Sequence, residues 1–221
     1  MEAIGHVLPI ALAVAISAVP IMATIIILLS PNRPKLAIPF LIGWMLGILV
    51  VVTVFTLAAQ AVPTSRTPRQ PDVIVGGIEI VVGVAMILLA LYSWRRAKGR
   101  PSPEVPKWLA SSGSLRPWES FGLAFVLNLR PKGLLLATAA GLTIRADAET
   151  TGAAIVAIAV YTLVGASTVV VPIIATLAAP ERMQPRLVAA REWLTANGGA
   201  LTSLILLFIG VVVTGMGIAR L

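Results

Sequence analysis

The chain has 221 residues, of which 58% are hydrophobic and 12% are charged. Soluble domains contain about 45–50% apolar and about 25% charged residues, so this composition excludes an ordinary soluble globular protein. Cysteine is absent, which excludes disulfides and thiolate chemistry. The net charge of +8 fits loops that face anionic lipid. Membrane lipids, and not nucleic acid, are therefore the expected partners.

Six apolar stretches reach the length of about 20 residues that a membrane-spanning helix needs. They cover residues 4–29, 36–62, 73–94, 121–144, 151–178 and 201–218, and polar, basic or Pro-rich segments separate them. The sequence therefore predicts an all-α integral membrane protein with six transmembrane helices. The first stretch lacks a basic start and exceeds the short apolar core of a signal peptide, so we expect an uncleaved first helix.

Basic residues near the helix ends predict the orientation in the membrane, because cytoplasmic loops carry an excess of Lys and Arg. The loops after helices one, three and five hold most of them, which places both termini outside the cytoplasm. Two segments of these loops, 181–195 and 105–118, combine basic residues with Trp and Leu. This mixture is typical of helices that lie in the membrane interface. For the segment 105–118, a plain solvated loop fits equally well.

The order of the helices suggests two inverted halves, with a first three-helix repeat in residues 1–95, a basic cytoplasmic loop in 96–117 and a second repeat in 118–221. Ser17 precedes Pro20 in helix one as Asn128 precedes Pro131 in helix four. A proline inside a helix removes a backbone hydrogen bond, and in lipid the freed carbonyl needs another partner. Paired breaks in inverted halves predict a central binding site. The alternative is a pair of kinks that neighbouring helices tolerate.

Three charged residues are predicted to lie inside the membrane. Arg130 and Lys132 lie about 13 and 16 Å from the cytoplasmic edge if helix four starts at Phe121, and Glu79 lies about 9 Å from the outer edge. A charge at the bilayer centre costs at least about 2.5–3.5 kcal/mol, so it persists where it faces a cavity, a partner or a substrate. If Glu79 pairs with one cation, the other favours an anionic ligand. An unpaired Glu79 in a water-filled vestibule is the alternative.

No signature of catalysis accompanies these charges. The sequence has a single His, and it shows no Gly-rich phosphate loop, no metal-ligand spacing and no paired carboxylates within a predicted span. We therefore predict no enzyme, no cofactor and no metal. His6 and the outer-loop residues Asp147 and Glu149 are expected to be passive, solvated groups.

Four segments resemble the GAP (peptidoglycolipid/sulfolipid-addressing) family of the lysine-exporter (LysE) superfamily: HVLP at 6–9, ISAVPI at 16–21, LIGW at 41–44 and NLRPKG at 128–133. The last segment is the most specific, and the resemblance covers the whole chain. Ala18 stands where the family form has Pro, so a softer break is expected in helix one. The resemblance implies a homodimer in the cell membrane that exports or translocates actinobacterial cell-envelope glycolipids or related lipids.

Together these observations predict a transporter with a site between the two halves. Arg130 and Lys132 are expected to bind an anionic headgroup, and Glu79 is the counter-charge or a proton carrier. The broken backbone comes from Ser17, Pro20, Asn128 and Pro131. Superfamily relatives export small solutes, so an exporter of amino acids or cations is one alternative. A non-transporting accessory subunit of a larger lipid-export complex is the other.

Overall fold

A computed structural model describes residues 2–61, 73–97 and 115–219. Every regular element in these residues is an α-helix, which confirms the predicted all-α class. The helices are α1 (Glu2–Ala15), α2 (Ala18–Leu29), α3 (Arg33–Ala61), α4 (Val73–Ala97), α5 (Pro117–Leu127), α6 (Pro131–Asp147), α7 (Thr151–Ala178) and α8 (Pro180–Ala219).

Two helices are long and apolar enough to cross a bilayer alone, namely α3 over Arg33–Ala59 and α7 over Thr151–Ala178. The bent pairs α1–α2 and α5–α6 each qualify if the pair forms one span, so the described residues hold up to four candidate spans. In α4 and α8, the described residues yield only the shorter apolar stretches Gly83–Tyr92 and Ser203–Gly215. The third and sixth predicted spans therefore stay a prediction.

The outward faces of the long helices are apolar. On α3, Ile42 and Val54 are about half exposed, whereas Phe40 and Ile48 on the other face are buried. The helix α7 has the same division, with exposed Leu163, Val171 and Ile174. Apolar patches of this extent are rare on soluble monomers and mark surfaces that contact lipid or another protein. These faces are suited to the hydrocarbon of a bilayer.

The described helices divide into two compact units, and the first contains α1–α3, α5–α7 and α8 as far as Thr195. Within it, α3 packs against α5 and α6, and α7 packs against α1 and α2. Each long helix therefore packs on the broken pair from the other part of the sequence. The helices α3 and α7 also contact each other, and α1 contacts α6.

The beginning of α8 is the amphipathic segment that the sequence predicts at 181–195. Leu187 and Leu194 are buried, whereas Arg186 and Arg191 are exposed. The segment is the first part of the 40-residue helix α8 and not a separate surface helix. Pro180 is compatible with this continuity because proline suits the first position of a helix. In the other predicted interfacial segment, residues 105–114 lie outside the described residues.

The second unit contains α4 and the part of α8 from Ala196 onward. Its two helices cross closely at Gly83 and Gly210. A Cβ atom on Gly83 would lie 2.8 Å from the Gly210 carbonyl oxygen, and one on Gly210 would lie 2.7 Å from Cγ1 of Ile87. Small residues allow backbones to approach in this way in membrane proteins. Gly215, by contrast, has open space around its Cα.

Candidate functional site at two helix breaks

The first break separates α1 from α2. The first helix ends at Ala15, the second begins at Ala18, and the two bend by 51°. Ser17 is the N-cap residue of α2, with an extended backbone and no side-chain capping bond. Pro20 is the third residue of α2, so the break lies just before the predicted position. Proline is tolerated there because the first N–H groups of a helix have no intrahelical acceptor.

The end of α1 leaves the carbonyl of Ala15 without its usual helical donor. The hydroxyl of Thr168 on α7 donates a hydrogen bond of 2.6 Å to this oxygen. An unpaired backbone group in lipid costs several kcal/mol, so this bond stabilises the break. Thr168 is not among the residues predicted from the sequence, although a hydroxyl inside a long apolar span was an available signal.

The second break separates α5 from α6, which bend by 60°. Here the helix stops at Leu127 and resumes at Pro131, the first residue of α6. Arg130 is the N-cap residue, with an extended backbone and no side-chain capping bond. Proline is favoured at the first helical position, and the residue before it is pushed out of the helical region. The predicted interruption at Pro131 is therefore confirmed.

The buried side chain of Asn128 holds the second break together. Its amide nitrogen donates to the carbonyl of Ala124 over 3.1 Å and to the carbonyl of Trp44 over 3.5 Å. The backbone N–H of Asn128 bonds instead to Phe125. The side chain thus satisfies a carbonyl that the end of α5 would otherwise leave open, and it ties α5 to α3. Both of its donors serve the fold, so Asn128 has a structural role beside the binding role that the sequence predicts.

Two glycines on α3 make room for this break. A Cβ atom on Gly43 would lie 3.0 Å from the carbonyl carbon of Phe121, and one on Gly47 would lie 3.1 Å from Cγ of Asn128. Any larger residue would push α5 away from α3. This pair is not among the residues predicted from the sequence, although the four-residue spacing of Gly43 and Gly47 is a known signal for close helix contacts in membranes.

The two predicted cations lie beside the second break. The side chain of Arg130 is exposed and that of Lys132 is half-buried. Neither forms an ion pair with any residue that the structure describes. Ser17 belongs to the other break. The backbone of Glu79 lies in α4, but its side chain is outside the described residues, so its pairing with either cation stays a prediction.

A third contact joins the two parts of the sequence at the far ends of α1 and α6. Nδ1 of His6 lies 2.8 Å from Oδ2 of Asp147, and the two side chains are 57% and 23% exposed. Asp147 is therefore paired and not simply solvated, which corrects the expectation from the sequence. The two side chains meet because α1 and α6 pack side by side, and no local pattern in the sequence predicts that contact.

Helices with exposed apolar faces and two bent, interrupted helix pairs are the features of a helical membrane protein. The family model described as "Sap, sulfolipid-1-addressing protein" matches residues 7–219, and the chain belongs to this family. The match confirms the resemblance to the lipid-addressing proteins, whereas membership of the LysE superfamily stays a prediction. No curated protein and no solved structure matches the chain.

Proposed function

We propose that the chain is a transporter that exports or translocates an anionic cell-envelope lipid or glycolipid. The observation that carries the proposal is the second break, where Arg130 and Lys132 lie in an interrupted apolar helix pair without an ionic partner among the described residues. Cations persist in such surroundings when they face a cavity or bind a charged ligand. The description of the family names a sulfolipid, and an acidic lipid headgroup would supply the missing negative charge.

The local backbone at this break also suits an anion. The first turn of α6 has N–H groups without intrahelical partners, and the helix dipole makes this end partly positive. Arg130 at the N-cap and Lys132 in the first turn add two full charges. The headgroup would bind at this end of α6, with its acidic oxygens on the two side chains. Ser17, whose hydroxyl makes no capping bond, would bind from the other break.

The packing of the first unit supports two inverted halves around this site. Because α3 packs on the α5–α6 pair and α7 packs on the α1–α2 pair, each half supplies the long helix that faces the other half's break. Transporters built from inverted repeats place their sites at interrupted helices between the repeats.

The complete proposal is a protein with six membrane spans in the cell membrane and both termini outside the cytoplasm, which forms a homodimer and catalyses no reaction. Glu79 is proposed as the counter-charge.

The test is lipid movement in reconstituted vesicles with Arg130→Gln and Lys132→Gln combined. We expect the wild type to translocate a fluorescent sulfated glycolipid but not its uncharged counterpart. The double variant should lose at least about tenfold in rate, because a hydrogen bond to a charged group contributes about 1.5–3 kcal/mol. The combination of Arg186→Gln and Arg191→Gln is the matched control, since both residues are exposed cations on α8.

Three results would contradict the proposal. The first is a double variant with the wild-type rate, which would remove the site assignment. The second is a wild type that moves labelled amino acids or cations and not lipid, which would favour the small-solute exporter. The third is a wild type that moves none of these probes, which would favour an accessory subunit of a larger export complex.

A further inference from the structure

The indole of Trp44 is a buried donor without an acceptor. Trp44 is 3% exposed, and its Nε1 makes no hydrogen bond to any residue that the structure describes. Buried indole N–H groups usually have a partner, and leaving a donor unpaired costs about 1–3 kcal/mol. The neighbouring backbone carbonyls at both breaks are satisfied by side chains, so the unpaired indole stands out in this part of the molecule.

The position of Trp44 along α3 can be read from the packing around Gly165. A Cβ atom on Gly165 would lie 3.3 Å from Cγ1 of Val14 and 3.6 Å from Cδ1 of Ile48. Ile48 is therefore level with Val14, near the end of α1. Trp44 precedes Ile48 by one turn, or about 6 Å, on the same side of α3.

Trp44 therefore lies on the side of α3 that packs toward α7. The carbonyl of Trp44, in turn, accepts a hydrogen bond from Asn128 at the second break. Trp44 thus lies at the second break, the same break as Arg130 and Lys132.

We infer that Nε1–H of Trp44 donates a hydrogen bond to an acidic oxygen of the transported headgroup, of the sulfate or phosphate class. The inference rests on the proposed function and adds a neutral, directional donor to the two cations of the site. Arg130 and Lys132 attract the charge, whereas the N–H of a rigid indole in a packed core donates only to an oxygen at one position. Trp44 is therefore a residue that selects how the headgroup is oriented.

The experiment follows the indole signals of protein labelled with ¹⁵N at tryptophan, during titration with sulfated galactosylceramide. The chain has five tryptophans, and Trp44→Phe identifies the signal of Trp44 by its loss. We expect the Trp44 signal to shift with the sulfated lipid and to stay in place with unsulfated galactosylceramide. Trp44→Phe should bind the sulfated lipid about ten- to a hundredfold more weakly. Trp118→Phe is the matched control, because Trp118 is 79% exposed.

The outcomes separate this inference from the proposed function. If the Trp44 signal stays fixed and Trp44→Phe binds like the wild type, while Arg130→Gln with Lys132→Gln abolishes binding, the inference is overturned and the proposed function stands. If the wild type binds no sulfated lipid, both are overturned. If Trp44→Phe fails to fold, the wild-type titration decides alone, with the Trp44 signal then assigned by Trp→Phe changes at the other four positions.

Discussion

At each helix break, one polar side chain donates a hydrogen bond to a backbone carbonyl that the interruption leaves unpaired. Thr168 bonds the carbonyl of Ala15, and Asn128 bonds the carbonyls of Ala124 and Trp44. Each interruption releases a carbonyl that cannot find water inside a bilayer. The residues that complete the breaks are therefore distinct from the prolines that mark them in the sequence.

We expect Asn128→Leu to destabilise the protein by about 1–3 kcal/mol, because it keeps the side-chain size but leaves the buried carbonyl of Ala124 without its donor and removes the bond to Trp44. The measurement is the thermal unfolding midpoint of the purified protein in mild detergent. Asn32→Leu is the control, since Asn32 is exposed in the connection between α2 and α3. Equal midpoints for the two variants would show that the hydrogen bonds of Asn128 are not needed at the break.

At the scale of the helices, the contact between α3 and α5 depends on glycine. We expect Gly47→Ala to destabilise the protein by about 1–3 kcal/mol, because its methyl group would overlap the side chain of Asn128. Gly122→Ala on α5 is the matched control, since a Cβ atom there meets nothing within 4 Å. The control should be neutral or stabilising, because alanine favours helices over glycine. Thermal unfolding in detergent measures the stability of both variants. A Gly47→Ala protein as stable as the Gly122→Ala control would contradict the close packing of α3 on α5.

The sequence reveals the breaks themselves but not the contacts that complete them. Pro131 restricts its own backbone and that of Arg130, so the break there can be predicted from the local sequence. The bond between Asn128 and Trp44 joins residues 84 positions apart, and the bond between Thr168 and Ala15 spans 153 positions. Pairings over such distances are set by which helices pack together. A single sequence predicts where the helices are but not which helices pack against each other.

The end of the basic region between α7 and the last apolar stretch shows the opposite case. The sequence separates the predicted surface helix at 181–195 from the apolar stretch at 201–218, yet α8 runs unbroken from Pro180 to Ala219. Pro180 occupies the first position of α8 as Pro131 does in α6, and proline favours a helix start at that position. Composition alone does not show whether such a start follows an interruption within a span.

For the whole molecule, the orientation in the membrane is the next property to test. The absence of cysteine allows single-cysteine labelling in an unaltered background. We expect Lys35→Cys and Arg186→Cys to react with a membrane-impermeant maleimide only after the cells are opened, because the basic loops face the cytoplasm. Glu149→Cys should react in intact cells. Labelling of Arg186→Cys in intact cells would contradict the predicted topology.

The central claim, that the interrupted helices hold an acidic lipid through Arg130 and Lys132, is tested most directly by mass spectrometry of the lipids that co-purify with the protein. We predict that an acidic lipid is enriched in the wild type relative to the surrounding membrane. The same lipid should fall at least about tenfold in Arg130→Gln with Lys132→Gln, because charge-assisted hydrogen bonds are lost. It should remain in the Arg186→Gln with Arg191→Gln control. No enrichment in the wild type, or equal enrichment in both double variants, would contradict the claim.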